Sequence, residues 1–297
     1  MKNIQNYAEK VKIAIEALTG METKIVHKLN NNDEQRIGIT ISSPNSNISP
    51  VMYLAESDVD KPVNETAANI IRAFQSQKPG FDFEVDQFTD FEQAKNRIIM
   101  RLINKEKSAK LLQDVPHIDV AEDLSIVFYY NVKNNKEQAN IKILNEHLKS
   151  FWPEVTAEQL YEVAKINTPN FYPAEILDMG AYISEKTGCS VPETGFYIMT
   201  NRQNVSGATV GFYPRICDEF CSIHNCNKFI ILPSSVHELL IYPVDSEDNI
   251  SEMVSDFTDI VKFVNASDVI GPNDFLSDNV YLYDMLTKEI KILHTEN

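Results

Sequence analysis

The sequence predicts an α+β protein: largely antiparallel sheets with helices packed on them, in two subdomains. Three observations carry this expectation. The β-patterned runs are separated by turns too brief for parallel crossovers. Apolar stripes at helical spacing occupy residues 4–18 and 250–264. Between residues 196 and 264 the element order is ββαββα, and short strands follow it, which suits a sheet with helices on one face.

Element by element, Ile4, Tyr7, Val11, Ile15 and Leu18, with Ala14, recur at three- and four-residue steps and make a first helix closed by Gly20. Strands follow near 23–29, 36–42 and 51–56, the alternation at 36–41 being the clearest. Helices are expected over 65–77 and 90–112, and apolar runs at 124–130 and 139–144 read as strands. A helix over 156–166 opens on Thr156, with Gln159 three residues on in a capping-box spacing, and Asn167, Thr168 and Pro169 should stop it. Strands are then expected at 196–200 and 208–213, a helix at 216–224, strands at 229–232 and 239–242, a helix over 250–264, and strands at 280–283 and 290–293. The polar, proline-bearing stretch 167–194 divides an N-terminal α+β subdomain (1–175) from a C-terminal acidic one (190–297).

Composition removes several function classes. Nine glycines in 297 residues stand at 20, 38, 80, 180, 188, 195, 207, 211 and 271. No three give the dinucleotide fingerprint, no pair gives a Walker loop, and no serine is flanked as in a nucleophile elbow. Residues 1–110 carry 15 basic and 15 acidic side chains, so the net charge of −16 belongs to the remainder. From residue 232 onward there are 13 acids and 3 lysines. Such a surface repels phosphate backbones, so neither nucleic acid nor an anionic membrane is an expected partner. No signal peptide and no apolar run of about 18–20 residues is present, which makes the cytoplasm the expected compartment.

Six collinear strings carry a family resemblance: NEHLKSF (145–151), NTPNFYPAE (167–175), YIMTN (197–201), GATVGFYP (207–214), ILPSSVHELLIYP (231–243) and LSDNVYLYD (276–284). Over about residues 35–284 the chain resembles an uncharacterised domain family of gut clostridia and their relatives, marked above all by PSSVHE. The resemblance implies a bacterial or bacteriophage origin and supplies no mechanism. The helix after GFYP departs from the family pattern by carrying cysteines, so chemistry at those thiols would be peculiar to this chain.

Four residue groups bear on function. Ser234, Ser235, His237 and Glu238 hold a hydroxyl, an imidazole and a carboxylate, the parts of a hydrolytic site. In extended chain, however, residues 235 and 237 lie about 7 Å apart, no oxyanion-hole glycine is near, and the serines equally suit a turn. Cys217, Cys221, His224 and Cys226 gather four candidate metal ligands, but C-x3-C-x2-H-x-C is not the spacing of paired zinc knuckles, and small buried apolar roles serve as well. Cys189 has no evident mate. The acid run from Asp245 to Asn249 lacks the glycine and the terminal glutamate of a calcium loop and reads as the acidic start of a helix. Trp152 and the 170–173 segment supply aromatic loop anchors.

No cofactor and no metal is expected. The leading expectation is a non-enzymatic regulatory or inhibitory protein that binds a protein partner, a basic one by charge, through Asp245, Glu247, Asp248, Glu252, Asp256 and Asp259. The alternative is a small-molecule-binding or hydrolytic domain with its site at PSSVHE.

Overall fold

The structure, a computed structural model, describes residues 2–42, 49–76, 84–133, 138–244, 250–267 and 270–294. Its described part holds three antiparallel sheets with helices packed on them, an α+β architecture as the sequence predicts.

The first sheet has strand order β1 (Thr23–Leu29), β2 (Gln35–Ile41), β3 (Val51–Tyr53) and is covered by α1 (Lys2–Thr19) and α2 (Val63–Ser76). The α1 stripe does what its spacing predicts: Ile4, Tyr7, Val11 and Ile15 bury against Ile37, Ile39 and Ile41. Leu18, expected on the same stripe, is exposed at the end of the helix. Gly20 adopts φ +67° there, and its amide closes the last turn on Glu16.

The second sheet is centred on β6 (Leu124–Lys133). It pairs along one edge with β4 (Ile98–Asn104), and along the other with β5 (His117–Asp119) and β7 (Gln138–Lys142), placed end to end. Here the structure corrects the helix expected over 90–112. That stretch breaks into α4 (Phe91–Ala94), after the short α3 (Val85–Thr89), then a 3-10 turn, β4 and α5 (Leu111–Asp114). The reason is burial on both sides. Ile98, Met100 and Leu102 enter one core while Ile99 and Ile103 enter another. A strand apolar on both faces loses its period of two, so its pattern imitates a helix.

Helix α7 (Ala157–Phe171) follows α6 (Asn145–Phe151) and opens as predicted: Thr156 Oγ1 accepts the Gln159 amide at 3.3 Å and Gln159 Oε1 accepts the Thr156 amide at 2.9 Å. It does not stop at Asn167 but runs through Pro169. Tertiary bonds hold the last turn. Asn167 Nδ2 donates to the carbonyls of Lys95 and Ile98 at 2.7 and 3.0 Å, and Thr168 Oγ1 accepts the Met100 amide at 3.0 Å.

The third sheet runs β13 (Glu289–Ile292), β12 (Tyr281–Asp284), β10 (Lys228–Ser235), β11 (Glu238–Val244), β9 (Tyr197–Asn201), β8 (Ala174–Asp178). β8 and α8 (Met179–Thr187) lie in the polar stretch expected to divide the two subdomains, and β8 pairs with β9 throughout. Phe229 and Ile231 face the core shared with the second sheet, beneath α9 (Ile216–His224), while Ile230 and Leu232 face α10 (Ile250–Asn265). Helices therefore cover both faces of this sheet, not one. The strand expected at 208–213 is a 3-10 turn over Gly207–Phe212, with Ala208 and Val210 buried. Gly207 sets its close approach, because a Cβ there would overlap Thr200 Oγ1 and the His237 carbonyl.

Candidate functional site

The PSSVHE hexapeptide forms the end of β10, a two-residue turn at Val236 and His237, and the start of β11. Its groups are engaged as turn groups. Ser235, 7% exposed, accepts the His237 amide on Oγ at 3.1 Å. The His237 ring accepts the Ser206 amide on Nδ1 at 3.3 Å and presents Nε2 to Asp274 Oδ1 at 3.3 Å, so the ring proton sits on Nε2. The His237 carbonyl accepts Thr200 Oγ1 at 2.8 Å, and the Val236 amide donates to the Asp274 carbonyl at 2.8 Å. Ser234 lies in β10, and Glu238 begins β11, half-buried. The structure thus brings His237 to Asp274 and Ser206, and directs Ser235 Oγ to a backbone amide rather than to the imidazole. Asp274 and Ser206 were invisible as partners in the sequence, being 37 and 31 positions from His237 in opposite directions.

The cysteine helix is a packing helix. Cys217, Cys221 and Cys226 are buried, and Cys217 Sγ donates to the Gly211 carbonyl at 3.2 Å. Burial pushes the Cys221 thiol up to about 12 and the Cys217 thiol higher still, so both are neutral. His224 packs its ring on Tyr197 and Phe220, both with centroids 4.3 Å away. Among the described residues no group of three or more His, Cys, Asp or Glu side chains is placed to hold a metal ion. Trp152 is buried against Phe88 and Phe91, and its indole donates to the Thr89 carbonyl at 3.1 Å.

Of the acidic group, Asp245, Glu247 and Asp248 lie outside the described residues, and Glu252 is on the first turn of α10. Asp256 and Asp259 are exposed on the outward side of that helix, whose inward side buries Val254, Phe257 and Val261. Two apolar side chains missed as surface residues share the outward side: Ile260 is 47% exposed and Phe263 80% exposed. Spacings of three and four residues place Asp256, Asp259, Ile260 and Phe263 in one stripe. Phe263 lies one residue from the predicted apolar stripe, and the rotational offset that this implies was the available signal.

Two clefts also lie among the described residues. One, of about 600 Å³, lies beside the GFYP segment and the β12–β13 hairpin. Lys288, one of its lining cations, is paired with Asp218 at 2.6 Å, and Asp218 also receives the Tyr283 hydroxyl. The other, of about 580 Å³, lies between β1 and the β7–α6 corner and contains Lys142. Nothing in the sequence singled out Lys142, because the strand that covers it lies more than a hundred residues away.

No helix among the described residues is long and apolar enough to cross a membrane. Comparison with known proteins gives one family: the model of a family of unknown function, DUF5688, matches residues 4–285. The match takes in α1 and the first sheet as well as the stretch that carries the six strings. No curated protein and no solved structure matches.

Proposed function

We propose that this chain, which belongs to the DUF5688 family, is a non-enzymatic regulatory or inhibitory protein of bacterial or bacteriophage origin that holds a basic protein partner on the outer face of α10. One observation carries the reading. Asp256, Asp259, Ile260 and Phe263 form an outward stripe on a helix whose inward side is anchored in the sheet. An exposed aromatic beside carboxylates suits a partner segment that brings Lys or Arg together with an apolar anchor: the anchor supplies affinity, and the charges supply rate and selectivity. The acid excess of the C-terminal 66 residues extends the same field and disfavours nucleic acid as the direct ligand. Three buried cysteines in one helix and its exit, Cys217, Cys221 and Cys226, suit a reducing cytoplasm. A hydrolytic role for Ser234, Ser235, His237 and Glu238 is not carried forward, because Ser235 Oγ and both ring nitrogens of His237 are committed to the turn.

The test is affinity capture with the full chain and with an Asp256→Lys, Asp259→Lys, Phe263→Ser variant, at low and high salt, with bound proteins identified by mass spectrometry. The expected result is a basic protein retained by the wild type at low salt, released at high salt and not retained by the variant. Identical retention by both chains would overturn the reading.

A further inference from the structure

We propose that the cleft between β1 and the β7–α6 corner binds a small organic anion, a monocarboxylate with an apolar body, through the ammonium groups of Lys142 and Lys28.

The strand pairings bring the cations together. Lys142 on β7 stands opposite Tyr129 on β6, and Arg101 on β4 lays its guanidinium over the Tyr129 ring, 4.4 Å from the centroid. With the Asn140 amide turned to satisfy its neighbours, Arg101 also donates to its carboxamide oxygen at 2.7 Å. Lys28, on β1 of the first sheet, lines the cleft from the other side. Among the described residues none of Lys28, Arg101 and Lys142 forms an ion pair with a carboxylate. The protein acceptor for Lys142 Nζ is a backbone carbonyl, Leu29 O, at 3.1 Å, which engages one of three N–H donors.

Grouping like charges at a partly desolvated place is unfavourable unless a counter-charge is supplied. Desolvation first, then Lys28 and Arg101, lower the Lys142 ammonium to about 8. Because these three cations converge and Lys142 is held by a backbone carbonyl and no carboxylate among the described residues, an anion is the occupant that the cleft favours. Two acids at the rim, Asp114 and Glu146, leave the local field modest, which favours a single negative charge over a dianion. The walls include Leu29, Leu111, Ile141 and Leu144, which call for an apolar body. A volume of about 580 Å³ suits one small molecule.

The test is calorimetric titration of the full chain at pH 7 and low salt with octanoate, with octanamide and inorganic phosphate as controls. Octanoate is expected to bind at least about tenfold more tightly than either control. Lys142→Met should weaken octanoate by about tenfold or more, and Lys28→Ser, at an exposed position, by several-fold. Octanoate should also slow acetylation of Lys142, read by peptide mass spectrometry. Equal binding of octanamide would remove the anionic head from the proposal, and phosphate binding as tight as octanoate would remove the apolar body. Octanoate binding unchanged by both substitutions, or absent altogether, would overturn it.

Discussion

The Tyr281 hydroxyl donates to the carboxylate of Asp123, 158 positions earlier in the chain, and so ties the β5–β6 turn of the second sheet to β12 of the third. Asp123 is 7% exposed, and it also accepts Ser277 Oγ at 2.6 Å and Asn279 Nδ2 at 3.0 Å. The three donors lie within LSDNVYLYD, so that string records the donor half of a buried polar clasp. Asp123→Ala would leave those donors without their acceptor and should cost about 3 kcal/mol. Tyr281→Phe removes a single donor and should cost about 1–2 kcal/mol. Urea unfolding of both singles and the double is expected to show a double-mutant loss smaller than the sum. A loss under about 1 kcal/mol for Asp123→Ala would show that the clasp contributes little.

Gly207 tests the role assigned to the PSSVHE turn. Its missing Cβ leaves room for Thr200 Oγ1 and the His237 carbonyl, which hydrogen-bond each other at 2.8 Å. Gly207→Ala should cost about 3 kcal/mol or more, since one neighbour is backbone and cannot step aside. Gly20→Ala, a left-handed position with open space around it, should cost only about 1 kcal/mol. Thermal denaturation of the two variants side by side ranks them, and equal midpoints would contradict the packing argument.

Lys142 gives a pH signature. Its folded pKa of about 8 lies below the ordinary value of 10.5, so charging it opposes folding. The penalty is complete below pH 8, where the group is protonated in both states, and it disappears as pH rises from 8 to 10.5. Lys28 and Arg101 raise the penalty, and His27, Lys149, Asp114, Glu146 and His147, the last lowered by its own burial, share the cleft. Lys142→Met should therefore gain on the wild type by about 1–2 kcal/mol more at pH 7 than at pH 10.5. Parallel chemical denaturation curves that keep the same spacing at both pH values would contradict the assigned cause.

The thiols should divide cleanly. Cys189 is exposed, while Cys217, Cys221 and Cys226 are buried, and the thiolate is the reactive form. Titration with a chromogenic disulfide at pH 8 should find one fast thiol per native chain and four in urea. Rapid modification of two or more native thiols would show that α9 does not pack as described.

Much of the fold was legible because local pattern and tertiary role agree at particular residues. The Ile4 to Ile15 stripe faces one sheet and solvent, so its period survives. Thr156 and Gln159 cap their helix through bonds made within four residues. The hairpin around PSSVHE was readable for the same reason. β4 was not, because burial from both sides erased the alternation at Ile98 to Ile103. Asn167 to Pro169 misled because distant carbonyls at Lys95 and Ile98 hold the turn that proline weakens. The 3-10 turn at Gly207 to Phe212 is chosen by space between strands, which no local window contains.

For the sites the division is sharper. The sequence by itself determined the family, the α+β class, the acid excess after residue 232 and the presence of Asp256 and Asp259 on a helix. Only the tertiary structure decided that Ile260 and Phe263 stand beside them in solvent, that His237 is spent on Ser206 and Asp274, and that Lys28, Arg101 and Lys142 gather with no ion pair to a carboxylate among the described residues. The physical reason is range. Helix and strand periods are set by neighbours a few residues away, whereas desolvation and charge grouping depend on which distant strands come to cover a side chain.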